Sequence, residues 1–354
     1  MTKKSNFDCL LFINHYEDLH QLYEQQIDRY IGKEIIKVLI GQRRVGKSYL
    51  LYQTMDTIRE RYSDANIIYI NLEIHVFEHI STCDALYNYV KSKTVKEVPN
   101  FLMIDEIQWV PKFEKTLNSL LAEGGYDIYC TGSNAHILSG ELGAYLGGRY
   151  IEIPVYSLTY PEFLNIHSLE NNPDNLTKYL KYGGLPCLIH LDQSDETVFD
   201  YLKNISQSIL FRDVVSRFEI RNIDFMNRLV RYLANEIGNL LSARGISKFL
   251  KSQSITISIT AILNYLYYLS TAMLVAGVPR SDIQGKRVFE VGEKVYIQVA
   301  LRITEKETME REFGSLKAIK DNYPKYVVTL DDYSGSSYEG IVHLPLRKFL
   351  YEFV

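Results

Sequence analysis

The chain has no apolar run of membrane-spanning length, no cysteines at C-x-x-C spacing, no internal repeat, no low-complexity tract and no excess of basic residues. Each absence removes a class of protein. A spanning helix needs about 20 consecutive apolar residues. The N-terminal MTKKSNFDCLLFINHYEDL holds one short apolar run, but Asp8, His15, Glu17 and Asp18 surround it, so it reads neither as a signal peptide nor as an anchor. Cys9, Cys83, Cys130 and Cys187 are scattered and read as reduced thiols rather than a disulfide framework or a metal site. A cytoplasmic location with no membrane partner is the expectation. The formal net charge of −4 gives no global case for nucleic-acid binding, so any basic surface has to be local.

What the chain does have is an ordinary globular composition, 46% hydrophobic and 23% charged, over 354 residues. That length suffices for two to three domains at about 150 residues each. It also has Gly41-Gln42-Arg43-Arg44-Val45-Gly46-Lys47-Ser48, which satisfies G-x-x-x-x-G-K-[ST] at every fixed position. The β-branched run Ile35 to Ile40 before it reads as a buried strand. Ser48 to Tyr62 after it reads as an amphipathic helix with Leu51, Met55 and Ile58 on one face. Strand, glycine-bearing loop and helix N-terminus together make a phosphate-binding loop. The residues from Gly41 through Ser48, with Tyr49 beside them, are the candidate nucleotide contacts. Lys47 would reach the β- and γ-phosphates, and the Ser48 hydroxyl would hold Mg²⁺.

Further along, Phe101-Leu-Met-Ile104 reads as a buried strand that ends in Asp105-Glu106. Asp105 would hold the Mg²⁺ shell, and Glu106 would polarise an attacking water as general base. The strand Asp127-Ile-Tyr-Cys130 ends in Thr131-Gly132-Ser133-Asn134, where Thr131, Ser133 or Asn134 would sense the γ-phosphate. Ser133 and Asn134 serve equally well as caps of a following helix. Arg149 stands just before the strand Tyr150 to Val155. It either stabilises transition-state charge, in cis or from a neighbouring copy, or closes a structural salt bridge. With a strand at Asn66 to Glu73 and helices at Asp84 to Lys93 and Phe113 to Leu121, strands and helices alternate. That alternation predicts an α/β fold, a P-loop NTPase parallel sheet with helices on both faces and the polar residues at its carboxyl edge.

Past Tyr160 the alternation stops. Helices are expected over Leu176 to Tyr182, Val198 to Phe218 and Ile223 to Asn239. Ile246 to Lys251 and Ser258 to Leu274 form a helix-turn-helix pattern, and 275–296 has the shape of a β-hairpin wing. Four domains follow: an ATPase-like domain at 1–165, a lid-like helical connector at 166–221, a winged helix at 222–296 and a small truncated α/β tail at 297–354. Arg212, Arg217, Arg221, Arg228, Arg231, Arg244, Lys248 and Lys251 make a local basic excess in the helical region. It suits either contacts to DNA phosphates or a solvated helix face, and the second helix of the pair is mostly apolar.

These residues resemble those of a large prokaryotic family of AAA-type ATPases, within the AAA+ superfamily of P-loop proteins. Its members join this domain to a C-terminal region of unknown function with a winged helix and a nuclease-like fold. The resemblance rests on GQRRVGKSYLL, FLMIDEIQWVPKFEKTLNSL, CTGSNAHILSGELGAYLGGRYIEIPVYSLTYPEF, YGGLP and FRDVVSR. Later, YLYYLSTAMLVAGVPRSDIQGKR and IQVALRITEKETMEREFGSLKAIKDNYPKYVVTLD match as well. It implies ATP with Mg²⁺, and it carries the loop, acidic and arginine roles to the residues above. It implies either an ATP-hydrolysing enzyme acting on a DNA or protein partner, with a homo-oligomer as the expected assembly, or a nucleotide-gated switch with negligible turnover. It also implies a shortened tail. In the family a long segment with an acidic position precedes the Ile297-Gln-Val-Ala300 strand, whereas here the wing runs straight into it. Gln298 then stands where a metal-site acid would be useful, so the tail is expected not to cut DNA and to leave an exposed strand edge.

Overall fold

The computed structural model describes residues 26–132, 145–192, 194–237, 241–253, 255–275, 296–303, 306–317, 319, 323–331 and 337–352. Two compact units emerge, Met1–Ser157 with Leu185–Gly277, and Leu158–Gly184 with Val278–Val354. Among the described residues no helix is long and apolar enough to cross a membrane.

The first unit is built on five parallel strands: β1 (Ile36–Gly41), β2 (Asn66–Asn71), β3 (Asn100–Asp105), β4 (Tyr126–Gly132) and β5 (Tyr150–Val155), in the order β2-β3-β4-β1-β5. Every residue of β1, β3 and β4 is buried, as parallel strands covered on both faces must be. Alternate residues go to opposite faces. Ile36, Val38, Ile40, Leu102, Ile104 and Ile128 meet Leu86 and Val90 of α2 (Cys83–Lys93) and Leu117 and Leu120 of α3 (Phe113–Glu123). Leu39, Phe101, Met103 and Tyr129 meet Leu50, Leu51, Met55 and Ile58 of α1 (Lys47–Arg61), together with Ile27 and Ile31 of the lead-in, the segment before β1. The helices therefore lie on both faces of a parallel sheet, as the alternation predicts.

One polar pair lies inside this sheet. Lys37 is wholly buried and bonds to Asp127, which also accepts the Gly32 N–H at 2.7 Å and the Tyr129 hydroxyl at 3.0 Å. Burial lowers the Lys37 pKa and raises that of Asp127, and their mutual attraction works against both shifts. The pair ties the lead-in turn to the amino ends of the strands.

The rest of this unit is helical: α6 (Asp195–Ser208), α7 (Ile223–Asn235), α8 (Ala243–Ser252) and α9 (Ile259–Thr271). Two further helices, α4 (Tyr160–Ile166) and α5 (Pro173–Tyr182), belong to the other unit. α6 does not simply end. It continues as a π-helical segment, Ile209–Val215, where a single α-helix is expected from the sequence. Leu210, Val214, Phe225, Met226, Leu229, Ile246, Leu250, Ile262 and Leu269 form its core. The expected wing and the residues 133–144 lie outside the described residues.

The second unit contains α4, α5 and a three-stranded parallel sheet, β6 (Tyr296–Ala300), β7 (Lys325–Thr329) and β8 (Val342–Pro345), in that order. Helices α10 (Lys306–Lys317) and α11 (Leu346–Glu352) accompany it. Phe313, Leu316, Val327 and Ile341 are its core. β8 and α11 have no counterpart in the sequence reading, because four strand residues running straight into a seven-residue helix carry too little periodicity to register.

Candidate nucleotide site

Parallel register brings one end of each strand to a common edge. Ile40 pairs with Gly132, Asn71 with Asp105 and Gly41 with Val155. At that edge the loop Gln42 to Gly46 turns into α1. Gly41 has to be glycine, since a Cβ there would lie 2.3 Å from the Val155 carbonyl oxygen. Arg44 and Gly46 take positive φ, 68° and 102°, which is how the loop curls. Thr82, Asn172, Ser194 and Ser242 cap their helices with side chains, whereas α1 begins at Gly46 with no side-chain cap. Its first N–H groups are the ones an anion meets at a helix N-terminus.

Lys47 is buried and folds over the loop, donating to the Gly41 carbonyl at 2.9 Å and the Gln42 carbonyl at 2.8 Å. An ammonium has three donors, so these bonds hold the loop curled while leaving one for a ligand. Burial pushes its pKa down, with Glu106 and Asp105 opposing.

Asp105 ends β3 buried. It accepts hydrogen bonds from the hydroxyls of Thr131 and Ser48, and longer ones from Tyr69 at 3.4 Å and Asn71 at 3.5 Å. Burial pushes the Asp105 carboxyl up, and the Thr131 and Ser48 bonds oppose that. Glu106 follows with φ 58°, a left-handed conformation that costs a non-glycine residue on the order of 1–3 kcal/mol. Its N–H is satisfied by Thr131 Oγ1 at 3.0 Å, and its carboxylate accepts from Gln108 Nε2. Thr131 thus serves both acids, as donor to one side chain and acceptor from the other's backbone.

The oxygens around Asp105 and Ser48 are hard donors, the kind Mg²⁺ takes. Among the described residues no group of three or more His, Cys, Asp or Glu could hold a metal alone. Mg²⁺ commonly takes one or two protein oxygens, with phosphates and water completing its shell.

Two of the sequence-derived candidates do not join this cluster. Arg149 lies at the amino end of β5, where its carbonyl accepts the Ile36 N–H at 3.0 Å. β1 separates that point from the loop by roughly 17 Å at about 3.3 Å per residue. Arg149 therefore cannot serve its own phosphate loop, which corrects the cis reading and leaves a reach to a neighbouring copy or a structural salt bridge. Asn134 and Ser133 lie outside the described residues. Tyr49 stands on α1 with its ring edge-on to Tyr52 at 6.3 Å.

Through Arg43 and Gln42 of the loop, other residues not singled out for the site join it: Asp213, Glu73, Arg212 and Met273. Arg43 Nε donates to Asp213 Oδ2 at 2.9 Å, and its Nη1 donates to Glu73 Oε1 at 3.1 Å. Asp213 is buried in the π-helical segment. Burial pushes its carboxyl up, and Arg43 offsets only part of that. Burial disfavours the Arg43 charge, but Asp213, Glu106 and Glu73 together outweigh it and keep the guanidinium protonated. Arg212 Nη1 reaches the same Glu73 oxygen at 3.3 Å and stacks over Trp109 at 5.5 Å. Gln42 Nε2 donates to the Met273 carbonyl at 3.0 Å. The only signal of this in the sequence is an Arg-Asp pair set inside the apolar run Ile209 to Val215.

Residues 33–164 match the model of a family described as an AAA domain, and residues 173–298 match a domain of unknown function (DUF8612). An uncharacterized protein of Haemophilus influenzae is 33% identical over 282 residues, 78% of this chain and 70% of that protein. An uncharacterized protein of Methanocaldococcus jannaschii is 34% identical over 253 residues, 68% of this chain but only 55% of that protein, so the chain spans about half of that relative's length. Among solved structures, a Walker-type ATPase of Pyrococcus abyssi superposes with a TM-score of 0.50 at 14% identity. The match covers 71% of this chain and 89% of that one, a likeness of fold alone.

Proposed function

The chain belongs to the AAA-type P-loop ATPase family, and from that premise we propose that it binds ATP with Mg²⁺ and hydrolyses it to ADP and phosphate. The observation that carries hydrolysis, beyond binding, is Glu106. It is buried, held by Thr131 through its backbone, and set beside Asp105 and the phosphate loop. The loop N–H groups and Lys47 bind the phosphates. Ser48 and Asp105 hold Mg²⁺, which when bound neutralises phosphate charge. Glu106 takes a proton from water as the water oxygen bonds to the γ-phosphorus and the bond to the β-phosphate oxygen breaks. Thr131 fixes both acids. Its one O–H is given to Asp105, which leaves phosphate sensing to Ser133 or Asn134.

Glu106→Gln is expected to keep ATP binding and lower phosphate release about 10²–10⁴-fold. Release at the wild-type rate would remove Glu106 as the base. A second reading, a nucleotide-gated switch with negligible turnover, draws on the Gln108 amide bonded to the Glu106 carboxylate. A phosphate-release assay on the wild-type protein separates the two readings. The partner is DNA or protein. Arg228, Arg231, Arg244, Lys248 and Lys251 are exposed on α7 and α8, whereas α9 exposes Leu263 and Tyr267. Duplex binding independent of salt would count against DNA.

A further inference from the structure

The loop is tied to the helices by its side chains as well as by the backbone. Gln42 holds the Met273 carbonyl, and Arg43 holds Asp213. Around Lys47, Arg43 and Arg212 stand four carboxylates, Asp105, Glu106, Asp213 and Glu73. Two of the cations, Arg43 and Arg212, are engaged by Asp213 and Glu73, with Glu73 shared between them. Asp213 and Glu106 act electrostatically on both Arg43 and Lys47. A buried carboxylate within range of the phosphate-binding lysine repels any anion that comes there, unless its guanidinium partner screens it. A nucleotide triphosphate and Asp213 therefore compete for one cation.

We propose that Arg43 exchanges between Asp213 and the terminal phosphate of a bound nucleotide, so that the π-helical segment carrying Asp213 registers whether the nucleotide is a tri- or a diphosphate. The inference rests on the nucleotide-binding reading above. The segment is suited to the role. π-Helical turns within α-helices occur frequently at functional sites, and Asp213, inside this one, loses its principal partner when Arg43 leaves. The partner released on the other side is Glu73, which then pairs with Arg212 alone. Arg212 lies over Trp109, the chain's single tryptophan, in the short turn Ile107–Trp109 that follows Glu106. The exchange is therefore visible in the protein's own fluorescence. Asp213 is a positioning residue acting through Arg43, while Arg43 touches the phosphate.

The test uses the full chain with Mg²⁺ and either a non-hydrolysable ATP analogue or ADP, reading both affinity and Trp109 emission. Wild-type emission is expected to shift with the triphosphate and not with ADP. Asp213→Asn removes the competing charge, so triphosphate affinity should rise about fivefold or more while ADP affinity stays within about twofold. Arg43→Gln should lower triphosphate affinity about tenfold relative to ADP, and it supplies the same ratio if the Asp213 variant does not fold. A triphosphate-to-diphosphate ratio equal to wild type in a folded variant overturns this inference alone. Failure of the wild-type protein to bind either nucleotide overturns the ATP reading and this inference with it.

Discussion

The molecule contains two parallel sheets that treat polar residues differently. In the five-stranded sheet, Lys47, Asp105, Glu106 and Thr131 are buried at the carboxyl edge, and three of them are linked through the Thr131 hydroxyl. In the three-stranded sheet the polar residues pair off locally. Gln298 donates to Glu312 at 2.7 Å, and Thr329 bonds to His343 at 2.9 Å. Parallel topology alone is therefore not enough for a site. Chemistry needs strand ends that converge under cover, which takes a sheet clothed on both faces. β1, β3 and β4 have that cover, while β6 exposes Ile297 and Val299.

The sharpest test of this contrast is Lys47→Ala against Glu312→Ala. The first is expected to weaken ATP binding about 100-fold, from the loss of charge-assisted bonds to phosphate. The second should leave binding unchanged. Equal losses, measured by calorimetric titration, would erase the distinction.

Thr131→Val keeps the shape and deletes the shared hydroxyl. Steady-state kinetics should give a kcat about 10–100-fold lower with KM little changed, because the acids lose their common tether while the loop is untouched. A KM effect with intact kcat would make Thr131 a binding residue instead.

Stability sharpens the same comparison. Leu102→Ala, at a wholly buried position of β3, is expected to cost about 2–5 kcal/mol in urea unfolding. Val299→Ala, 65% exposed on β6, should fall within about 0.5 kcal/mol of wild type.

A smaller effect is pH-dependent and belongs to the unit with the small sheet. Burial lowers the His343 pKa, with Asp331 opposing, and burial followed by the Lys178 charge lowers that of His167. A histidine depressed in the folded state takes its proton more readily when unfolded. Stability is thus full above the unfolded value of about 6.5 and is lost as pH falls through it toward the folded value. Melting of wild type at about pH 7.5 and about pH 5.5 should differ more than melting of His343→Gln. The smallest expected effect is none at all: with Mg²⁺ or Mn²⁺, plasmid and single-stranded DNA should remain uncut. Cleavage lost on changing Gln298 would give the small sheet a site of its own.

The sequence by itself determined the strand-loop-helix around Lys47, the buried strand running into Asp105-Glu106, and the alternation that makes a covered parallel sheet. All three are local patterns, set by hydrophobic period and by the backbone demands of glycine. Tertiary structure decided the register that pairs Ile36 with Tyr150 and so sets Arg149 about the length of β1 away from the loop. It also decided that Leu158–Gly184 belongs with the tail rather than with the sheet that precedes it. And it alone brought Asp213 to Arg43, 170 residues apart in the chain, since neither charge marks its partner in the sequence. What pairs them is burial, which makes an unpartnered charge too costly to keep.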